Sequence, residues 1–202
     1  NRSLFEGLQI EQDAEIMAQQ GQYPVIYLTL KDVKESTWES ALGQIKTVLM
    51  DSFDGHKALL NLPQVDPHKE PIYQRILQKI APLDECASSL KFLTELLHQV
   101  HGRRVILLID EYDTPIHAAY QNGYYKEMID FMRGFLSGGF KDNLHLQKGV
   151  LTGILRVAKE SIFSGFNNAV VYTLLDSSFS EYFGFTQEEV DQLLKDFNLE
   201  DR

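Results

Sequence analysis

The chain holds a single cysteine, Cys86, and a single tryptophan in 202 residues. One cysteine excludes an internal disulfide. With neither a second cysteine nor a histidine beside it, Cys86 is not expected to act as a nucleophile or metal ligand. Long apolar runs are absent as well, which excludes a membrane-spanning helix, and there is no signal-peptide pattern. A reducing cytoplasm is the expected setting. Basic residues are scarce: 19 Lys and Arg against 29 Asp and Glu leave a net charge of −10, and no local basic patch interrupts it. Such a field repels a phosphate backbone, so a DNA or RNA reader is not expected.

What is present is an ordinary globular composition. Hydrophobic residues make up 44% and charged residues 24% of the chain. A chain of this length can bury its own core, so we expect one folded domain over 1–202 rather than disorder. The sequence opens on Asn1 and Arg2 rather than Met, and the expectation is that this domain is incomplete at its N-terminus.

Residues 4–20 read as a polar lead into a short helix stopped by Gly21. Residues 23–30 (YPVIYLTL) are almost continuously apolar or β-branched, the pattern of a strand buried on both faces of a parallel sheet. Ser36 with Glu39 makes a capping-box pattern ahead of Trp38, Leu42, Ile45, Leu49 and Phe53 at helical spacing. A connector with Pro63 and Pro67 follows, then a helix carrying Ile72, Ile76, Leu77 and Ile80 that Pro82 closes. Ser88 or Ser89 is expected to cap the next helix, whose stripe is Leu90, Leu93, Leu96, Leu97 and Val100 and whose stop is Gly102. The second strand, VILLI at 105–109, runs into Asp110, Glu111 and Asp113 and the turn residues Thr114 and Pro115. A helix over 124–136 should end at the breaker Ser137-Gly138-Gly139, with strands at 149–155 and 170–175. Thr186 with Glu189 repeats the capping-box pattern before a last helix. Strands alternating with long helices argue for an α/β fold, a parallel sheet with helices on both faces.

In such a sheet the carboxyl ends of the strands line the ligand crevice, which makes Asp110 and Glu111 the most informative residues of the chain. A hydrophobic strand ending in Asp-Glu is the Walker B pattern: the first carboxylate orders Mg²⁺ on a nucleotide and the second positions or polarises the attacking water. Two acids also simply mark where a strand meets solvent, but the run of consecutive aliphatics ahead of them favours function. A two-metal nuclease cluster of Asp110, Glu111 and Asp113 lacks the Glu-x-Lys partner expected on a neighbouring strand.

VILLIDEYDTPI at 105–116, GVLTGILRVAKESIFSGFNN at 149–168 and YFGFTQEEV at 182–190, in that order, resemble the bacterial AAA-ATPase-like family. NRSLFEGLQI and YPVIYLTL are similar to the segments after that family's Walker A helix, so the resemblance covers essentially the whole chain. It implies a P-loop NTPase-like core that binds and hydrolyses ATP with Mg²⁺. Family members carry an upstream Gly-Lys-Ser/Thr phosphate loop and often a downstream PD-(D/E)XK nuclease-like domain. By this resemblance Asp110 is the Mg²⁺ carboxylate and Glu111 the catalytic base. Thr152 is a sensor facing the γ-phosphate, and Arg156 senses or neutralises that phosphate. Strand packing accounts for Thr152, and a surface cation for Arg156, equally well. Asp113 is expected to hold the turn before Thr114-Pro115. Ser161, Ser164, Asn167 and Asn168 are expected in a solvated polar loop, and Phe179, Tyr182, Phe183 and Phe185 in a core.

The phosphate loop itself is not in these residues. Neither Lys46-Thr47, Gly55-His56-Lys57, Lys141 nor Lys148 stands in a G-x-x-x-x-G-K-[ST] setting. In the resembled class the strand ahead of that loop lies inside the sheet, so a core lacking the Walker A strand and loop should expose two apolar strand edges. Unpaired buried backbone groups cost on the order of 1–3 kcal/mol each. The expectation is an upstream segment that completes the sheet, with self-association or a protein partner where it is missing. Two functions stay open: an ATPase or ATP-driven switch completed by that loop, and a catalytically silent interaction scaffold.

Overall fold

The computed structural model describes residues 2–154, 169–173, 175–182 and 184–199. The chain separates into two compact units, Asn1–Phe166 and Asn167–Arg202. The larger opens on 3-10 turns and a short helix, α1 (Ala14–Gln19), whose first amides bond the Asp13 carboxylate. Strands β1 (Val25–Thr29), β2 (Val105–Asp110) and β3 (Leu146–Leu151) then form a parallel sheet in the order β1-β2-β3. The expected α/β fold with a parallel sheet, that of a P-loop NTPase-like core, is present. Helices α2 (Trp38–Asp54), α3 (Glu70–Leu77), α4 (Leu83–His101), α5 (Thr114–Asn122) and α6 (Tyr125–Phe140) fill the connections. No described helix is long and apolar enough to cross a membrane.

Pairing places Tyr27 beside Leu108 and Leu108 beside Val150 on one face, and Leu28 beside Ile109 and Ile109 beside Leu151 on the other. The second face is the dry one. Ile26, Leu28, Leu107 and Ile109 are buried there, and α4 and α6 pack over it, with α6 close enough that a Cβ on Gly139 would lie 3.0 Å from both Leu107 Cδ2 and Leu90 Cδ1. On the first face Val25 is 42% and Tyr27 59% exposed. The run at 23–30 therefore alternates rather than burying both sides, a pattern that its β-branched and aromatic residues conceal. β3 shows an open outer edge among the described residues, with Gln147 to Val150 exposed.

Local signals were overruled at several points. The α2 cap is Thr37, not Ser36: the Thr37 hydroxyl accepts from the Ser40 amide. α4 starts five residues ahead of Ser88, directly after Pro82, with Asp84 and Glu85 in its first turn, where acids complement the helix dipole. Ser88 and Ser89 lie inside α4 and donate to the carbonyls of Asp84 and Cys86. Gly102, in the left-handed conformation, ends α4 as expected. Thr114-Pro115 opens α5 instead of a turn, because proline near a helix start lacks only an amide that would have no partner there. Ser137-Gly138-Gly139 does not break α6. Gly134, Gly138 and Gly139 form a seam without side chains against Ala87 and Leu90 of α4, and the packing outweighs the helix cost of glycine. Residues 170–173 are not in a strand, and among the described residues no neighbouring strand offers them a ladder. In the smaller unit, Thr186 and Glu189 make the expected capping box on α7 (Gln187–Asp196). Phe179 meets Tyr172 edge-on at 4.6 Å, but Phe179 is 41% and Phe185 71% exposed, so neither is core. Tyr182 and Phe183 as side chains lie outside the described residues.

Two buried features bear on stability. Cys86 is buried in α4, and burial pushes its thiol pKa up, the opposite of what a nucleophile needs. His98 Nδ1 lies 2.9 Å from His145 Nδ1, so one ring donates and the other, neutral, accepts. Burial holds His145 below its ordinary value of 6.5, helped by His98, Lys69 and Lys91 and opposed by Glu95; burial and His101 do the same to His56.

Two predictions follow from this packing. Gly139→Leu should overpack the α4–α6 seam and lower stability by about 1–3 kcal/mol. Gly43→Ala, where nothing lies within 4 Å of the added Cβ, should raise it by about 0.5–1 kcal/mol; urea unfolding midpoints check both. For His145 and His56 the unfolded chain binds protons more readily than the folded one. Their contribution is therefore fully present above pH 6.5 and is lost as pH falls below it. The urea midpoint should drop on acidification through that range, and the drop should shrink in a His56→Gln/His145→Gln variant.

Candidate functional site

The site is built where β2 leaves the sheet. Parallel pairing puts Thr29 of β1 opposite Asp110 of β2, and the next residue of β3's course, Thr152, reaches the same carboxylate from the other side. Thr152 Oγ1 donates to Asp110 Oδ1 at 2.5 Å, and Thr29 Oγ1 lies 3.4 Å from Asp110 Oδ2. Two backbone bonds continue the ladders past the strand ends, Leu30 N–H to Asp110 O and Thr152 N–H to Ile109 O, each at 2.9 Å. The hydroxyls are therefore held by backbone, and Asp110 is seated between them, half-buried at the mouth of the central strand.

Glu111 leaves the strand with φ of +52°, a left-handed conformation that is costly for a residue with a Cβ. Its carboxylate accepts from Thr114 Oγ1 at 3.0 Å, on the first residue of α5. The left-handed residue turns the chain sharply out of β2, and α5 begins three residues later at Thr114. Asp113 is 4% exposed and occupies the cap position of α5, yet makes no side-chain cap. The expectation that it holds the turn is corrected: its Oδ2 accepts from the Ile154 amide at 3.1 Å, across to the residues that follow β3.

The three acids are thus aimed at three different partners: Asp110 at the strand-end threonines, Glu111 at Thr114, Asp113 at Ile154. A two-metal cluster needs them to converge, and among the described residues no group of three acids, histidines or cysteines could hold a metal ion. Thr152, whose strand-packing explanation was open, is exposed and has its hydroxyl on Asp110. Arg156, Ser161, Ser164, Asn167 and Asn168 lie outside the described residues. Thr29 was not singled out from the sequence. Its only signal was a hydroxyl at the end of an apolar run.

The family model of the predicted AAA-ATPases matches residues 1–163. The chain belongs to this family. An uncharacterized protein in the vnfD 5′ region of Azotobacter chroococcum mcd 1 is 35% identical over 101 residues, covering 48% of this chain and 19% of that protein. The chain thus spans under a fifth of the length of this relative in the matched region. No solved structure matches. Membership of the AAA-ATPase family bears out the resemblance over the matched residues, VILLIDEYDTPI among them, and with it an ATPase-like domain; YFGFTQEEV at 182–190 lies beyond the match. The match includes the three described strands and the acidic turn of Asp110, Glu111 and Asp113.

The strain at Glu111 yields a test independent of any reaction. Glu111→Gly should relieve the left-handed backbone and hold or raise stability by up to about 1 kcal/mol even though it deletes a hydrogen bond. Thermal unfolding that shows a loss comparable to a core substitution would mean that the Glu111 side chain, and not its backbone, sets this turn.

Proposed function

We propose that this chain carries the Walker B and sensor parts of an ATP-hydrolysing site. The observation that carries this reading is the acidic end of the central strand, with the Asp110 carboxylate seated between the Thr29 and Thr152 hydroxyls and Glu111 in a left-handed turn beside it, bonded to Thr114. An all-oxygen donor set with one carboxylate at its centre fits Mg²⁺, which keeps most of its waters and takes further ligands from phosphate oxygens. Mg²⁺ bound with ATP neutralises charge on the β- and γ-phosphates.

In this reading Asp110 holds the hydrated cation, and Thr29 and Thr152 fix the carboxylate's orientation. Thr152, exposed at the strand end, faces the γ-phosphate, and Arg156 neutralises it. Glu111 receives the proton of the attacking water or orients that water. Thr114 holds one of its oxygens, Oε2, and the other is the one directed at the water. The phosphates need a Gly-Lys-Ser/Thr loop, which the 202 residues do not contain, so it is supplied by polypeptide outside them. Nucleotide is the primary partner and the setting is cytoplasmic.

A second reading, an interaction scaffold without hydrolysis, draws on the exposed Val25, Tyr27 and Val150 and the open edge of β3. Exposed apolar sheet surface favours a protein contact or self-association. The two readings separate in one experiment on a polypeptide that includes the phosphate loop. Glu111→Gln should retain Mg-ATP binding and lower hydrolysis on the order of a hundredfold or more, whereas Asp110→Asn should weaken the Mg²⁺ dependence of binding. Absence of ATP binding by the unmutated protein would leave the scaffold.

A further inference from the structure

Asp113 makes a contact that neither strand packing nor helix capping accounts for. It follows Glu111 by two residues, stands at the start of α5 without capping it, and is almost fully buried. Its Oδ2 accepts from the Ile154 amide at 3.1 Å. Beside it the Tyr112 amide donates to Thr152 O, also at 3.1 Å. The two bonds clamp the loop that follows Glu111 onto residues 152–154, so Glu111 lies between two fixed points: the end of β2 and this clamp. Gly153, in the middle of the second segment, has no room for a side chain. A Cβ there would lie 2.5 Å from Asp113 Oδ1 and 2.8 Å from Tyr112 Cε1. The close approach of the two loops depends on that glycine.

We propose that Asp113 is a positioning residue. Its carboxylate ties the backbone that aims Glu111 to the strand exit that carries Thr152, so that the position of Thr152 at a phosphate and the aim of Glu111 change together. A displacement at residues 152–154 passes through the Asp113–Ile154 bond to the turn at Glu111, whose left-handed conformation is maintained by what flanks it. This inference rests on the ATPase reading for its consequence in turnover but not for the mechanical coupling itself.

The test uses the full-length protein and compares Asp113→Ala, Asp113→Asn and Gly153→Ala with the unmutated form. Steady-state turnover of Mg-ATP is measured together with amide hydrogen exchange in the segments 109–114 and 150–154. Asp113→Ala and Gly153→Ala are each expected to lower kcat on the order of ten- to a hundredfold, the scale of a small misplacement of a reacting group, with KM changed by less than about twofold. Exchange should quicken in both segments. Asp113→Asn keeps an acceptor oxygen for the Ile154 amide and should recover most of the turnover. Undiminished kcat in either disrupting variant, an asparagine variant as impaired as the alanine one, or faster exchange confined to one segment would overturn the proposal. If Asp113→Ala does not fold, Gly153→Ala and Asp113→Asn decide by the same criteria. If the unmutated protein does not turn over ATP, the ATPase reading fails. The coupling then stands on exchange that quickens in both segments of Gly153→Ala, and falls if only one responds.

Discussion

The arrangement depends on one constraint, the parallel pairing of β2 between β1 and β3. A central strand with both edges satisfied can be apolar throughout, and its residues at 105–109 are. When such a strand leaves the sheet, the first polar residue meets the ends of both neighbours at once. Here that residue is Asp110, and the neighbours present Thr29 and Thr152; backbone bonds from Leu30, next to Thr29, and from Thr152 itself prolong the two ladders. The carboxylate's orientation is thus decided by sheet register, the least adjustable feature of the fold, because a one-residue slip would turn every side chain to the opposite face.

Among the described residues, α4 and α6 cover one face of the sheet. α4 and α6 approach each other and β2 through Gly134, Gly138 and Gly139, where absent side chains allow helix backbones to come near. That tight layer buries Leu107 and Ile109 and leaves the opposite face with Val25 and Tyr27 open. The polar turn at Glu111 to Thr114 sits at the end of this rigid block, not on a long loop. Its strain at Glu111 and its buried Asp113 are supported by covalent continuity with β2 on one side and α5 on the other. Side chains mounted this way lose little to motion, which would suit the alignment of a phosphoryl group, a water and a cation that the proposed ATPase reading requires.

Membership of the predicted AAA-ATPase family agrees with this geometry. In the proposed ATPase reading, the acidic pair at the mouth of the central strand and the hydroxyl on the adjacent one would form half of a nucleotide site. The half that grips phosphate requires a glycine-rich loop of backbone amides that these residues do not contain. The outer edge of β3, open among the described residues, lies on the strand that carries Thr152 toward Asp110, so additional strand pairing there would be felt directly at Asp110.

By itself the sequence determined the elements with strong, unshared signals. VILLI followed by Asp-Glu could only be a buried strand ending in acid, Gly102 could end α4 because it alone tolerates a left-handed residue there, and Thr186 with Glu189 carried its own cap. It was misleading wherever one residue type serves two structures. The glycines at 138 and 139 break an isolated helix but admit a neighbouring one, and Pro115 marks a turn or a helix start with equal ease. The valine-rich run at 170–173 has the propensity for a strand, but propensity supplies no partner. Only the tertiary structure decided that Thr29 joins Thr152 on Asp110 and that Asp113 turns to Ile154. Those contacts join residues 41 to 81 positions apart, and such distances are closed by sheet pairing, which local sequence does not encode.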